Sequence, residues 1–257
     1  MIVPDQEAAG RLVADAVGRL LRVRPDAALG LATGSSPLPA YRELIRRADA
    51  GEVSFARATA FLLDEYVGLP ATHPQSYRAV IARELTDRID IPAAAVHGPD
   101  GSAADLAAEC TAYEAAIARA GGIDLQILGI GADGHIGFNE PTSSLGSRTR
   151  LKTLTGRTRR DNARFFPRPE DVPRHVITQG IGTILSARHV VLMAEGEGKA
   201  EAIARAVEGP VTAMVPASAL QLHPHATVVV DEAAASRLAL AGYYRETYAA
   251  KPAWQGL

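Results

Sequence analysis

The sequence predicts an α/β fold: a modified doubly wound, Rossmann-like arrangement in which helices cover both faces of a mainly parallel sheet. Short apolar runs without polar alternation are typical of strands buried on both faces. The segments between these runs repeat their apolar residues with the period of a helix. No internal repeat, low-complexity linker or change of composition divides the 257 residues. We therefore expect a single domain over residues 1–257.

The predicted elements alternate along the chain. A helix is expected over residues 7–23, because one face of it carries Leu12, Val13, Ala16, Val17, Leu20 and Leu21. Apolar strands are predicted at 27–32, 58–63, 123–131, 189–194 and 226–230. Further helices are predicted at 38–49, 75–88 and 103–120, and after each of the last two strands. Ligands of such sheets bind beyond the carboxyl ends of the strands, so the loops that follow the strands should carry the functional residues.

Charge and composition exclude several classes of protein. The 27 Lys and Arg residues against 29 Asp and Glu residues give a net charge of -2, which offers no general attraction for nucleic acid or an anionic membrane. The single cysteine, Cys110, cannot form an internal disulfide and lies in a helical pattern where packing is its expected role. The N-terminus lacks the pattern of a signal peptide, and no apolar run is long enough to span a membrane. These features predict a cytoplasmic protein.

The loop after the first long strand is a candidate anion site. Its residues Thr33, Gly34, Ser35 and Ser36 lie between the strand and a helix, where backbone N–H groups and hydroxyls can donate to a phosphate. The alternative is that these hydroxyls only cap the helix. The loop lacks the Lys-Ser/Thr ending of the nucleoside-triphosphate loop, which disfavours that class of ligand.

An acidic pair follows the next strand. Asp64 and Glu65 come directly after the apolar run that ends at Leu63, so one of them should point into the crevice and could serve as a general base. The alternative is that both are solvated loop acids or helix caps.

The glycine-rich segment 128–141 is the most informative. Gly129, Gly131 and Gly134 match the spacing of a dinucleotide-binding loop, but Pro141 comes seven residues after Gly134 and no Asp or Glu occurs between 141 and 160. Both departures argue against a dinucleotide, because that loop opens a long helix and needs an acidic residue about 20 positions later.

What remains in this segment is a histidine between two carboxylates. Asp133, His135 and Glu140 suit proton transfer, with one acid fixing the tautomer of the imidazole. Metal ligation and a purely structural histidine are the alternatives. No second His or Cys lies nearby, so we predict neither a metal ion nor any other cofactor.

Several basic residues are candidate partners for a phosphate. Lys199 follows a strand and a glycine turn, and Arg164 lies in NARFFPRP. Arg148, Arg150 and Lys152 would share one face if residues 147–152 are extended. Solvated surface charge is the alternative for each of them. His223 and His225 flank a proline, and we interpret both as structural.

In this order, the segments resemble the glucosamine-6-phosphate deaminase family of glucosamine/galactosamine-6-phosphate isomerases. The resemblance covers most of residues 29–232 and rests on LATGSSP, FLLDEYVGLPATHPQSY, ILGIGADGHIGFNEPTSSLGSRTRLKTLT, NARFFPRPEDVP, GKAEAIARAVEGPV and ALQLHPHATVVVDE. It implies an amino-sugar-catabolising enzyme that converts glucosamine 6-phosphate to fructose 6-phosphate and ammonia by acid–base catalysis without metal.

The resemblance also implies roles for individual residues. Asp64 would remove the C2 proton, and His135 would assist ring opening with Asp133 and Glu140 as its partners. The phosphate would lie among Thr33–Ser36, Arg164 and Lys199.

A regulatory site and an assembly are implied as well. In allosterically regulated members, N-acetylglucosamine 6-phosphate binds at the positions that match Ser143, Arg150, Lys152, Thr153 and a tyrosine near the C-terminus, here Tyr243. The family usually forms homo-oligomers, often hexamers.

Two alternatives stay open at this point. A 6-phosphogluconolactonase-like hydrolase would share the fold and a phosphosugar ligand, but would have less use for a base at the end of the second strand. A sugar-phosphate-sensing effector domain would need an appended helix-turn-helix, and only about 25 residues precede the first long strand.

Overall fold

The computed structural model describes residues 1–252 and 254–257. Within these residues the strands are β1 (Ile2–Val3), β2 (Ala28–Leu31), β3 (Thr59–Leu62), β4 (Asp64–Tyr66), β5 (Val96–His97), β6 (Leu125–Leu128), β7 (Arg150–Thr153), β8 (His175–Thr178), β9 (His189–Ala194) and β10 (Ala226–Asp231). The α-helices are α1 (Gln6–Val23), α2 (Leu38–Asp49), α3 (Tyr77–Glu84), α4 (Leu106–Arg119), α5 (Gly156–Asn162), α6 (Ile181–Ile184), α7 (Ala200–Val207) and α8 (Ala241–Ala249). None of these helices has both the length and the apolar composition needed to cross a bilayer.

The main sheet confirms the predicted fold class. Seven strands pair in parallel in the order β1-β10-β9-β6-β2-β3-β5. Leu29 and Leu31 of β2 face a core formed with α1 and α2, whereas Ala28 faces a second core formed with α4 and α7. Because successive residues of a strand point to opposite faces, this alternation shows that helices cover both sides of the sheet.

The predicted elements agree with the observed ones to within a few residues. The helix predicted at 38–49 and the strand predicted at 189–194 have the observed bounds. The helix predicted at 75–88 is shorter, because α3 ends at Glu84 and a 3-10 turn follows. The strand predicted at 123–131 ends at Leu128, where the glycine-rich loop begins.

A second sheet, which the sequence pattern does not predict, continues from β3. Its three antiparallel strands have the order β4-β8-β7, and Asp64 lies opposite Thr178 in the register of β4 and β8. The two sheets are joined at Leu63, whose carbonyl accepts a hydrogen bond of 2.9 Å from the backbone N–H of Gln179. Strands of three or four residues such as DEY and RLKT carry no apolar run for a sequence pattern to detect.

A buried carboxylate fastens the centre of the main sheet at its amino-terminal end. Asp124, directly before β6, accepts hydrogen bonds from the backbone N–H of Ala28 at 2.8 Å, from Arg24 Nη1 at 2.7 Å and from Arg188 Nη1 at 2.9 Å. Its side chain is only 2% exposed. This carboxylate therefore joins β2 and β6 while three donors compensate its charge.

Removal of this carboxylate should destabilise the protein strongly. We expect Asp124→Ala to lower the free energy of unfolding by about 3 kcal/mol, because a buried N–H and two guanidinium groups lose their acceptor. Urea unfolding followed by circular dichroism measures the change. Glu7→Ala is the matched control, since Glu7 pairs with Arg42 at 2.7 Å on the open surface and should change stability by less than about 1 kcal/mol. Similar losses for both variants would contradict the role given to Asp124.

Candidate active site

Four neighbouring strands of the main sheet bring the candidate loops to one edge. β9, β6, β2 and β3 are adjacent, and the chain proceeds to one side of β2 for β3 and β5 and to the other side for β6 and β9. The loops after β2 and β6 adjoin, because a Cβ atom added at Gly129 would lie 3.7 Å from the Ser36 side chain. The topological switch point between β2 and β6, where open α/β sheets bind their ligands, therefore carries two of the predicted motifs.

The two residues of the acidic pair, Asp64 and Glu65, lie in different environments. Glu65 accepts hydrogen bonds from the backbone N–H groups of Tyr66 at 2.7 Å, Tyr77 at 2.9 Å and Arg78 at 2.9 Å, and so joins β4 to the start of α3. Asp64 is 4% exposed, and no donor in the described part of the chain hydrogen-bonds to its carboxylate. The alternative of two solvated loop acids is therefore wrong, since both side chains are buried.

The environment of Asp64 favours a proton acceptor of raised basicity. Burial raises the pKa of the Asp64 carboxyl well above its ordinary value of 3.8, and the neighbouring charge of Glu65 raises it further. A carboxylate that lacks hydrogen-bond donors is poorly stabilised as an anion, and it gains more on taking up a proton.

Asp133 and His135 form the pair that the sequence predicts. His135 Nδ1 lies 2.6 Å from Asp133 Oδ1, and the backbone N–H of His135 donates to the same oxygen at 3.2 Å. The hydrogen bond from His135 lowers the pKa of Asp133 to about 2. With its Nδ1–H held by a carboxylate, the imidazole presents Nε2 as a proton acceptor or donor. No hydrogen-bond partner for Nε2 occurs among the described residues.

The glycine pattern of this loop has a structural explanation that involves no dinucleotide. The imidazole of His135 packs directly against Gly131, where an added Cβ atom would come within 2.1 Å of the ring atom Cε1. Gly134 has a φ of 88°, a conformation that residues with a side chain rarely adopt. The glycines are therefore required to turn the loop and to seat the imidazole.

Glu140 does not join this pair, contrary to the expectation that it flanks His135. Its buried carboxylate accepts hydrogen bonds from the hydroxyls of Thr155, at 3.2 Å, and Thr158. Between the two side chains, the amide of Asn139 donates to the carbonyls of Ile136 at 2.9 Å and Gln179 at 2.8 Å, which fixes the turn of the backbone there. Glu140 follows this turn and contacts the first turn of α5.

The loop at residues 33–36 does not cap the helix that follows it. α2 begins after Pro37, and no side chain caps its N-terminus. Gly34 and Ser35 are exposed, and Gly34 has a φ of 99°. The capping alternative is thus wrong, and the hydroxyl groups of Ser35 and Ser36 are not engaged as caps of α2.

Two cations lie near these loops without a carboxylate at ion-pair distance. Lys199 Nζ donates to the carbonyl of Ile130 at 2.7 Å, which brings it beside the glycine-rich loop. Burial lowers the pKa of Lys199, the charge of Asp133 opposes this effect, and that of Arg164 adds to it. The guanidinium of Arg164 lies 4.7 Å from the centre of the Phe165 ring. Within the described residues neither cation forms an ion pair, so both can receive an anion.

Of the other basic residues, one has a structural role and two lie together on one face of β7. Arg148 is paired with Glu114, so it is a structural residue in this chain. Arg150 and Lys152 share one face of β7, as the alternation predicts. The hydroxyl of Ser143 is buried and has no hydrogen-bond partner among the described residues, and Thr153 Oγ1 lies 3.2 Å from His175 Nδ1.

Tyr243 lies apart from this group within the chain. It is 60% exposed on α8, which packs against β1 at the far edge of the main sheet. The hydrogen bond and ring contact of Tyr243 in the described part of the chain stay within α8, with Thr247 and Tyr244.

The remaining candidates are structural, as predicted. The ring of His223 is buried and lies 2.8 Å from the carbonyl of Ala187. His225 stacks on His189, with the ring centres 3.6 Å apart. Cys110 is buried in α4, where burial raises the pKa of its thiol. No group of three or more His, Cys, Asp or Glu side chains that could hold a metal ion occurs among the described residues.

Sequence analysis missed a set of buried polar residues around the site. Asn139 and Gln179 link the glycine-rich loop to the second sheet, and the phenol of Tyr66 accepts a hydrogen bond from Asn162 at 3.0 Å. Only the position of Tyr66, two residues after Asp64, could have indicated that it shares a strand face with that carboxylate.

Comparison with known proteins agrees with this arrangement. The family described as glucosamine-6-phosphate isomerases/6-phosphogluconolactonase matches residues 6–230. A glucosamine-6-phosphate deaminase from Streptomyces coelicolor is 64% identical, over 100% of this chain and 99% of its own. One from Mycolicibacterium smegmatis is 61% identical over the same shares.

Two solved structures are also similar. A monomeric glucosamine-6-phosphate deaminase has a TM-score of 0.90 and 42% identity, covering 92% of this chain and 98% of its own. A 6-phosphogluconolactonase from Thermotoga maritima has a TM-score of 0.72 at 22% identity, covering 90% and 97%, and shares the fold.

The seat of the imidazole can be tested directly. We expect Gly131→Ala to displace His135 from Asp133, because the new methyl group would overlap the ring. The pKa of the Asp133 carboxyl should then rise from about 2 towards its ordinary value of 3.8, as measured by NMR titration. Gly129→Ala is the control, since its nearest contact would be an ordinary 3.7 Å. An unchanged Asp133 titration in Gly131→Ala would refute this account of the loop.

Proposed function

The chain belongs to the glucosamine-6-phosphate isomerase/6-phosphogluconolactonase family, and we propose that it converts glucosamine 6-phosphate to fructose 6-phosphate and ammonia. The observation that carries the proposal is the buried carboxylate of Asp64. It accepts no hydrogen bond from the described residues, and it lies at the start of β4, just after β3. An aldose–ketose isomerisation requires such a base, because it must remove a hydrogen bound to carbon.

The reaction begins with opening of the sugar ring. The substrate is mostly a closed pyranose, and its C2 hydrogen becomes acidic only when C1 is an aldehyde. Opening requires a proton to be delivered to O5 and one to be removed from the O1 hydroxyl. His135 suits this exchange, because Asp133 holds its Nδ1 and leaves Nε2 for the substrate.

Asp64 then acts on the opened sugar. Its carboxylate takes the C2 proton, and the electron pair of that C–H bond forms the C1–C2 double bond of an enolamine. The π pair of the C1 carbonyl moves to O1, which takes up a proton and becomes a hydroxyl. Return of the proton to C1 gives a C2 iminium ion. Water adds to C2, the C–N bond breaks and ammonia leaves, so that a ketone remains at C2. No step changes the oxidation level of the sugar as a whole, so the chemistry needs only proton transfers and water.

The phosphate would anchor the substrate far from the reacting carbons. Lys199, Arg164 and the loop of Thr33, Gly34, Ser35 and Ser36 would supply its cations and donors. The contact of Lys199 with Ile130 and the absence of a described ion pair at either cation support this role. Anchoring at one end places C1 and C2 against Asp64 and His135, and this positioning lowers the barrier without any contact to the reacting atoms. Glu140 would act indirectly, because its hydrogen bonds fix the glycine-rich loop against α5.

The deaminase reaction is favoured over the lactonase reaction. A lactonase must activate water at an ester carbonyl and has no carbon-bound proton to remove. Asp64 is buried with no hydrogen-bond donor among the described residues, which lowers the stability of the folded protein. A lactonase would gain nothing in return, whereas an isomerase requires such a base. The full-length relatives at 64% and 61% identity are named deaminases, whereas the lactonase structure is similar at 22% identity.

We also propose a second anion site for regulation. Ser143, Arg150, Lys152 and Thr153 would bind N-acetylglucosamine 6-phosphate, supported by the shared face of the two cations and by the unpartnered Ser143 hydroxyl. Burial lowers the pKa of Arg150, which pairs with no carboxylate among the described residues. Tyr243 lies apart from these residues within the chain, so it would join such a site only between chains of the homo-oligomer, often a hexamer, that the family resemblance implies. That assembly stays a prediction, and the similar solved deaminase is a monomer.

Replacement of Asp64 tests the proposed reaction. We expect Asp64→Asn to reduce the release of ammonia from glucosamine 6-phosphate by about 10²–10⁴-fold, the usual contribution of a general base. Binding of fructose 6-phosphate, measured by calorimetry, should change little. Wild-type protein should remain active in the presence of a chelator. Exchange of the C2 hydrogen with solvent at the wild-type rate in the variant would remove Asp64 from this role.

The raised pKa of Asp64 adds a pH dependence to the same test. The folded state binds this proton more tightly than the unfolded state, so the wild type loses stability as the pH rises through the raised pKa. Asp64→Asn avoids this loss, and its advantage in the free energy of unfolding should be larger at pH 8 than at pH 4. The base must be ionised to act, so kcat/KM should fall on acidification at a pH above 3.8.

The phosphate anchor is tested at Lys199. We expect Lys199→Ala to weaken the binding of glucosamine 6-phosphate by about tenfold or more, since a charge-assisted hydrogen bond contributes about 1.5–3 kcal/mol. Unphosphorylated glucosamine should bind the variant and the wild type with similar weakness, and Lys199→Arg should retain part of the affinity. Equal losses for both sugars would show that Lys199 does not contact phosphate.

A further inference from the structure

Tyr66 occupies a junction between three parts of the structure. It lies two residues after Asp64 on β4, so the phenol and the carboxylate share one face of the strand. Its ring centre lies 4.8 Å from that of Tyr77, 6.0 Å from that of Phe138 and 5.8 Å from that of Phe166. These neighbours belong to α3, to the glycine-rich loop and to the segment after α5.

The hydroxyl group of Tyr66 joins two of these parts by hydrogen bonds. Tyr77 Oη donates to Tyr66 Oη at 3.3 Å, and Asn162 Nδ2, at the end of α5, donates to the same oxygen at 3.0 Å. A chain of polar groups therefore runs from the start of α3, through two phenols, to α5.

One end of this chain is held rigidly. Glu65 binds the backbone N–H groups of Tyr77 and Arg78, so the start of α3 cannot shift relative to β4. Burial raises the pKa of Tyr66 to about 12, so its phenol stays protonated and neutral at physiological pH. The other end is α5 and the turn that carries Arg164, and Ala163 of this turn packs against the aromatic cluster.

We infer that Tyr66 is a positioning residue that ties α5, and the turn with Arg164 that follows it, to the start of α3 through the Tyr77 and Asn162 hydrogen bonds. The inference rests on the proposed phosphate site, to which Arg164 would contribute a cation. A segment that is already held in place loses less conformational freedom when its side chain engages a phosphate. The tie should therefore act on the affinity for the phosphorylated sugar and leave the proton-transfer steps largely unchanged.

The hydroxyl can be removed without the ring. Tyr66→Phe keeps the aromatic contacts and deletes both hydrogen bonds, while Asn162→Ala deletes the bond from the side of α5. Tyr113→Phe is the matched control, because it removes another buried phenol whose hydrogen bond, to the carbonyl of Leu62, does not involve α5. If Tyr66→Phe and Tyr113→Phe lose a comparable amount of stability, an effect on substrate affinity that occurs only in Tyr66→Phe reflects the loss of the tie and not general destabilisation.

Steady-state kinetics provides the first measurement. We expect KM for glucosamine 6-phosphate to rise about five- to tenfold in Tyr66→Phe and in Asn162→Ala, with kcat within about twofold of the wild type. The double variant should be no worse than either single variant, because both remove the same link. Multiplied effects in the double variant, or a KM rise in Tyr113→Phe of the same size, would overturn the inference.

Limited trypsin digestion without any sugar provides the second measurement. Arg164 is exposed, and a released α5 segment should be cut at the Arg164–Phe165 bond several-fold faster in Tyr66→Phe than in the wild type or Tyr113→Phe. Cleavage at the wild-type rate would refute the tie whatever the substrate is. Absence of deaminase activity in the wild type would instead refute the proposed function, and the digestion would still decide whether the tie exists.

Discussion

The arrangement of the site depends on one unfavourable feature: the Asp64 carboxylate is buried, and no described residue donates a hydrogen bond to it. A carboxylate in this setting is poorly solvated, and the folded protein holds it there only because neighbouring contacts fix the backbone around it. Glu65 supplies one of these contacts, since it binds three backbone N–H groups and leaves β4 little freedom to expose Asp64 to water. The pairing of β4 with β8 supplies another.

The second sheet is therefore best understood as the support of this carboxylate. β3 ends inside the main sheet, and one residue later the chain enters an antiparallel pairing that directs Asp64 and Tyr66 to the same face. Tyr66, which follows Asp64 by two residues on β4, belongs to an aromatic cluster with Phe138 and Phe166. Burial of Asp64 beside this cluster raises the pKa of its carboxyl.

The surroundings shift the pKa values of two carboxyl groups in the candidate site in opposite directions. Burial raises the pKa of Asp64, while the hydrogen bond from His135 lowers that of Asp133. Under the proposed function, one carboxylate would accept a proton, and the other would stay ionised and orient the imidazole of His135. The close approach of Gly131 to the ring makes this orientation a property of the backbone, because no larger residue leaves room for the imidazole.

Much of this could be predicted from the sequence, because the relevant information is local. Apolar runs and helical periods locate the strands and helices. Asp64, Asp133 and His135 follow β3 and β6 within a few residues, which places them at the ligand-binding edge of any parallel sheet. The tertiary structure alone decided which carboxylate of the pair at 64 and 65 is engaged, that Glu140 faces Thr158 instead of His135, and that Asn162 meets Tyr66 across 96 positions of the chain. Those contacts join residues whose proximity depends on how distant segments pack, and such packing leaves no periodic trace in a short stretch of sequence.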